Sequence, residues 1–230
     1  MTVVTKLRLC IGAALALAGC SEGRLAVPSE LHGTTEALPI SGMGIGERGS
    51  FRFAGGEGRF TRGAERLALF DEALVRHSGG GSFRYVSGGG VLEGACHYAE
   101  KSITVGIISA TTRPFAYECR LGRNGAQAGE LRIEEERGTT GAALGKQARH
   151  GYVVLDGVRL DIRSIHRMEG GGLATAAPLG YRFEEGGRAV GAVDLNGTTK
   201  TVHAPPTART REAVFAGSLA LSVLWDPATL

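Results

Sequence analysis

The chain reads as an all-β domain, an antiparallel barrel or sandwich, with one buried C-terminal α-helix and a cleaved N-terminal signal helix. Three observations predict this. Thirty-seven glycines among 230 residues cut the chain into short segments, and several of these alternate apolar and polar residues with the period of a half-buried strand. Asp156-Gly157 sits between two such segments as a hairpin turn. The one long apolar stretch without alternation, Ala213 to Trp225, is apolar or small on every side and stops at Asp226-Pro227, as a buried helix does.

Residues 1–19 carry Lys6 and Arg8 ahead of an apolar run from Leu9 to Ala18. That order is a secretory signal, and the run is too short for a bilayer span of about 20 residues. The ending Leu17-Ala18-Gly19-Cys20 resembles the lipobox of bacterial lipoproteins. The resemblance implies cleavage before Cys20 and lipidation of its thiol with three acyl chains, at about 0.8 kcal/mol of membrane affinity per buried methylene. It also implies, with Ser21 rather than Asp after the cysteine, sorting to the outer membrane, facing the periplasm. Loss of Lys6 and Arg8 takes the net charge from +3 to +1, so no single-sign field remains to attract nucleic acid.

Residues 20–48 hold Pro, Gly and Ser without sustained periodicity and are expected to be a flexible tether spanning about 30 Å. The "GIGERG" segment from Gly44 fits G-x-G-x-x-G, but "SFRF" follows where a dinucleotide fold needs a helix; the segment reads as a hinge. Residues 49–230 form the single domain. Within it "GSFRFAGGEG" from Gly49 and "GSFRYVSGGG" from Gly81 echo one another, as two strands of one sheet with similar chemistry would.

Residues 64–77 place Leu67, Phe70 and Leu74 at helical spacing, yet "RLALF" alternates, and strand is the reading adopted. Ile103, Val105 and Ile107 share one strand face; so do Phe115, Tyr117 and Cys119. Cys96 and Cys119 are the only pair left after the leader and anchor are set aside, and in an exported chain the expectation is a disulfide, with free thiols or a metal site as alternatives. If residues 91–99, 102–109 and 114–121 were three meander strands, the cysteines would stand about 9.5 Å apart, beyond the limit of about 7 Å for a bridge. A disulfide therefore requires the first and third segments to be neighbours, or a break in the pairing.

The Asp156-Gly157 turn sets Leu155 opposite Val158 and Val153 opposite Leu160, on one core face with Ile162, while Arg159, Asp161 and Arg163 point outward. Further turns are expected at Gly186-Gly187 and Asn196-Gly197. The C-terminal helix is placed at about 211–225. A β chain wrapped on one wholly apolar terminal helix resembles the tubby-like barrel of tubby domains and phospholipid scramblases, over about residues 50–226, which implies enclosure of that helix by the strands.

Candidate chemistry is sparse. His166, two residues after Ser164, is the best-placed base, and an envelope hydrolase using His166 and Ser164 is the alternative function. A catalytic serine also needs an orienting third group and an oxyanion site, and no G-x-S-x-G elbow occurs. His97, His150 and His203 are isolated in sequence; no metal-ligand spacing and no cofactor motif is present. The expectation is a lipid-anchored, non-catalytic binding or structural module at the membrane surface, with a lipid or another envelope protein as partner.

Overall fold

The computed structural model describes residues 23–69, 74–105, 108–136, 147–171 and 173–226. The leader, Cys10 and Cys20 lie outside them, as do Phe70 and Ile107. Twelve strands precede one helix: β1 (Glu36–Ile40), β2 (Arg48–Phe53), β3 (Gly56–Leu69), β4 (Leu74–Ser87), β5 (Gly90–Val105), β6 (Ile108–Arg123), β7 (Ala126–Glu135), β8 (Arg149–Leu155), β9 (Val158–Ile165), β10 (Gly180–Glu185), β11 (Arg188–Asp194), β12 (Lys200–Ala204) and α1 (Ala208–Ser222). From β2 to β12 each strand pairs antiparallel with the next, and β1 pairs with β12. Beyond β1, Ser41 and Arg52 exchange backbone hydrogen bonds of 2.9 and 2.8 Å. The bonds join the two edges, so the sheet is a nearly closed barrel with little exposed edge.

The residues expected to be tether are the principal correction. From Gly23 onward the described chain is docked: Leu25, Leu31, Ile40 and Met43 are buried, and residues 36–40 supply β1. Burial of these four apolar side chains outweighs the freedom that a Gly- and Pro-containing segment would otherwise keep. The strand reading of residues 64–77 holds at both ends, since β3 reaches Leu69 and β4 starts at Leu74.

Cys96 and Cys119 are direct cross-strand partners on β5 and β6, bonded with Cα atoms 4.0 Å apart. The three-segment meander fails because residues 91–99 and 102 onward belong to one continuous 16-residue strand. Closing a ring of this size stabilises the fold by about 3 kcal/mol on the chain-entropy model. Reduction is expected to shift the urea midpoint down accordingly; an unchanged midpoint would show that the bridge contributes nothing.

Four of the strand glycines leave room for aromatic side chains lying across the strands. Phe51 pairs with Gly58, Phe60 with Gly49, Phe83 with Gly94 and Tyr98 with Gly79. A Cβ at Gly58 or Gly94 would stand 2.2 Å from the facing ring. The echoed segments become β2 and β4, which flank β3, and Phe51 stacks on Tyr85 at 6.1 Å.

Helix α1 fills the barrel. Thr210 and every residue from Ala213 to Val223 are buried, against β4, β5, β8, β9, β11 and β12. Gly217 lies where Phe183 crosses the helix; an added Cβ would meet the ring at 2.5 Å. The helix ends earlier than the expected Trp225, because Trp225 and Asp226 turn aside to two arginines described below.

The two ends of the barrel differ. At one end, Ala54-Gly55, Gly88-Gly89, Asn124-Gly125, Asp156-Gly157 and Gly186-Gly187 make two-residue connections. In four of these both residues have positive φ, from 44° to 82°, the requirement of a type I′ hairpin turn. The expected hairpin holds, with Leu155 opposite Val158 and Val153 opposite Leu160. Longer connections, 41–47, 166–179 and 195–199, gather at the opposite end. The Asn196-Gly197 turn belongs here and is not a two-residue hairpin: it is loosened to five residues while Asn196 donates from its side chain to the Gly23 carbonyl at 2.6 Å.

Candidate functional site at the long-loop end

Long connections on a rigid barrel are where binding groups are presented, and α1 points its C-terminus at this end. The last carbonyls of a helix lack intrahelical donors and carry partial negative charge. Tyr117 donates to the Ala220 carbonyl at 2.6 Å and Arg62 to the Ser222 carbonyl at 3.4 Å. Arg62 also donates to the carbonyls of Gly44 and Gly46, and its guanidinium lies over the rings of Phe60 and Trp225, 5.1 and 5.5 Å from the centroids. One side chain thus ties the "GIGERG" loop, the helix end and Trp225 together.

Arg149 is the second cation of this end and is 3% exposed. Both its Nη atoms donate to the Asp226 carboxylate, Nη1 also reaches the Tyr181 hydroxyl at 3.2 Å, and the guanidinium sits 3.9 Å from the Phe115 ring centroid. Burial opposes its charge, but Tyr181 and Asp226 more than offset this and hold it above the ordinary arginine range. Nearby, burial first and then the charges of Asp226 and Glu100 push the Tyr98 phenol up to about 12.

Above these residues opens a cavity of about 720 Å³, lined by Met43, Ile45, Leu195, Leu224 and Trp225 and by the polar side chains of Arg62, Lys200, Tyr181 and Asp226. Asp226 is neutralised by Arg149, which leaves Arg62 and Lys200 as the charge of the lining. Desolvation lowers the pKa of Lys200, Arg62 lowers it further, and Asp194 partly opposes both. Desolvation also lowers that of Arg62. Two half-buried cations beside apolar walls suit an anionic group attached to an apolar body. Two other concavities differ in kind: one lies on the barrel wall over Arg52, Arg59 and Arg84, and one lies under the docked N-terminal segment by Arg24 and Met168.

Ser164 and His166 do meet. His166 is buried; its Nδ1 lies 3.0 Å from the Thr175 carbonyl and its Nε2 2.9 Å from Ser164 Oγ. A carbonyl only accepts, so Nδ1 carries the proton and the serine hydroxyl donates to Nε2. Ser164 Oγ also accepts from the Arg149 backbone N–H at 2.9 Å. Among the described residues, the group facing Nδ1 is the Thr175 backbone carbonyl, where a triad has a carboxylate. This pair fixes β9 to the start of β8 and to the 166–179 loop, and so fixes Arg149. His97 is exposed, 3.7 Å from Glu118; His150 is exposed and His203 half-buried. Among the described residues no group of three or more His, Cys, Asp or Glu is placed to hold a metal.

No sequence motif marks Arg62, Arg149, Lys200 or Asp226 as a site. Their signal is the strand phase: Arg149 precedes Gly151, Val153 and Leu155 on the inward face of β8, Arg62 follows Gly58 and Phe60 on β3, and Lys200 precedes Val202 and Ala204 on β12. On β8 and β12 the cation begins the inward face and on β3 it follows Phe60, and all three lie toward the same end of the barrel.

Fold and site together define a helix-filled antiparallel β-barrel with a cationic and apolar mouth. No protein-family model, curated protein or solved structure matches the chain.

Proposed function

We propose that this chain is a lipid-anchored protein of the cell envelope, held by Cys20 at the periplasmic face of the outer membrane, and that its barrel is a non-catalytic binding module. The observation that carries the binding role is the 720 Å³ cavity whose apolar walls meet Arg62 and Lys200. Its chemistry favours an amphiphile with an anionic group, a lipid or the apolar segment of another envelope protein, over a polar metabolite.

The test is to purify the intact chain from its own membranes and identify what remains bound by mass spectrometry. An anionic amphiphile lost on Lys200→Gln supports the reading; material that carries nothing, and that no amphiphile displaces from a fluorescent fatty-acid probe, defeats it. The anchor is tested separately. Cys20→Ala is expected to leave the membrane fraction or to accumulate unprocessed, whereas a processed variant that still sediments fully with membranes would sink the lipoprotein reading.

The hydrolase alternative has the Ser164–His166 hydrogen bond in its favour. Labelling of Ser164 by a fluorophosphonate, abolished by His166→Gln in a folded chain, would establish it over the binding role.

A further inference from the structure

The docked N-terminal segment fixes where an anchor at Cys20 must be. Gly23 is hydrogen-bonded through its carbonyl to Asn196, Arg24 accepts from the Glu169 backbone, and Leu25 donates to Asp194. Asn196 stands between Leu195 and Gly197, both of which line the cavity. Two residues separate Gly23 from Cys20, three Cα-to-Cα steps with a reach of at most about 11 Å even when fully extended. A 30 Å tether would leave the orientation of the barrel free; a strap this short does not.

Exposed apolar side chains give a second, independent indication. Among the described residues four large hydrophobic side chains are exposed: Ile45, Leu67, Val86 and Leu173. Ile45 belongs to the 41–47 connection and Leu173 to the 166–179 connection, and both are more than nine-tenths exposed. Leu67 lies near the end of β3 that is remote from the Ala54-Gly55 turn, at the same end of the barrel. Only Val86 sits by the tight turns. Apolar side chains projecting around a cationic mouth are the composition of a surface that seats in a bilayer interface.

We infer that the long-loop end of the barrel is the face this protein lays on the bilayer holding its anchor, with Ile45 and Leu173 in the interface and anionic lipid headgroups drawn to Arg62 and Lys200. The inference rests on the reading of Cys20 as the anchor. It also assigns the bilayer as the source of the amphiphile: the cavity opens toward the leaflet and its ligand enters without crossing water. The tight-turn end then faces away from the membrane.

The chain's single tryptophan, Trp225, lines the mouth and reports on it directly. The full lipidated chain is reconstituted into phosphatidylcholine vesicles, with or without phosphatidylglycerol, made with or without acyl-brominated lipid. Brominated lipid is expected to quench Trp225 and anionic lipid to shift its emission to the blue. Lys200→Gln should require about fivefold more phosphatidylglycerol for the half-maximal shift, the loss of one cation near a charged surface, and Ile45→Asp should lose most of the bromine quenching. Both positions are on the surface or make no hydrogen bond that holds the barrel, and an unchanged thermal midpoint checks their folding. Trp225 that brominated lipid does not quench and aqueous iodide does would overturn the orientation. A response equal in neutral and anionic vesicles, or unaltered by Lys200→Gln, would overturn the headgroup assignment. Mass analysis of the N-terminus separates this inference from the reading beneath it, since an unacylated Cys20 defeats both and an acylated chain with an iodide-accessible Trp225 defeats this one alone.

Discussion

Leu219→Ala is expected to destabilise the barrel by about 2–5 kcal/mol, and Leu221→Ala by a similar amount. Both side chains lie within the barrel, at 0% and 1% exposure, and the strands around α1 cannot collapse onto the space left because they are fixed to one another by a nearly closed ladder of hydrogen bonds. The cavity term therefore adds to the lost transfer energy in place of being relaxed away. Urea unfolding followed by far-ultraviolet circular dichroism is the measurement. A loss below about 1 kcal/mol at both positions, the range of surface substitutions rather than buried leucines, would mean that α1 is not the centre of the core. Removal of residues 212–230 is expected to leave a chain that does not fold at all, since the inward faces of β4, β5, β8, β9, β11 and β12 would line an apolar void.

Asp226→Ala is expected to cost about 3–5 kcal/mol, the cost of leaving one partner of a buried ion pair charged and alone. The guanidinium of Arg149 cannot deprotonate, and at 3% exposure it cannot reach water without moving β8. Its remaining partners would be the Tyr181 hydroxyl, the Phe115 ring and, at longer range, the Glu100 carboxylate. The double variant Arg149→Met with Asp226→Ala removes both charges and is expected to recover much of the loss. A double-mutant cycle by urea unfolding measures the coupling. If Asp226→Ala alone is neutral, the pair does not fasten the chain after α1 across the mouth.

The same pair explains why helix and mouth are one construction. Val223 to Asp226 leave the helix and cross the barrel end, where Arg62 takes Trp225 and Arg149 takes Asp226. Arg62 in turn holds the 41–47 connection, which runs from β1, the strand that closes the barrel between β12 and β2. A change in any of these contacts is felt at the cavity.

Sequence alone determined the parts whose physics is local. Period-two alternation set Phe115, Tyr117 and Cys119 inward, positive φ at Asp156-Gly157 and Gly186-Gly187 set those hairpins, and thirteen residues without a polar face required a helix with no water around it. The pairing of Cys96 with Cys119 was the expectation once Cys10 and Cys20 were set aside as leader and anchor. Tertiary structure decided what depends on residues far apart in the chain. Whether residues 36–40 would be strand or tether turned on β12, some 160 positions later, offering an unpaired edge. The length of α1 turned on Arg62 and Arg149, which draw Trp225 and Asp226 out of helical geometry. Arg62, Arg149 and Lys200 each looked like an isolated charge in its own strand; only closure of the barrel, which brings the inward faces of β3, β8 and β12 to one rim, makes them a single mouth. Local patterns specify the turns and faces because their energetics are contained within a few residues, whereas a site assembled from three strands has no energy until the sheet has closed.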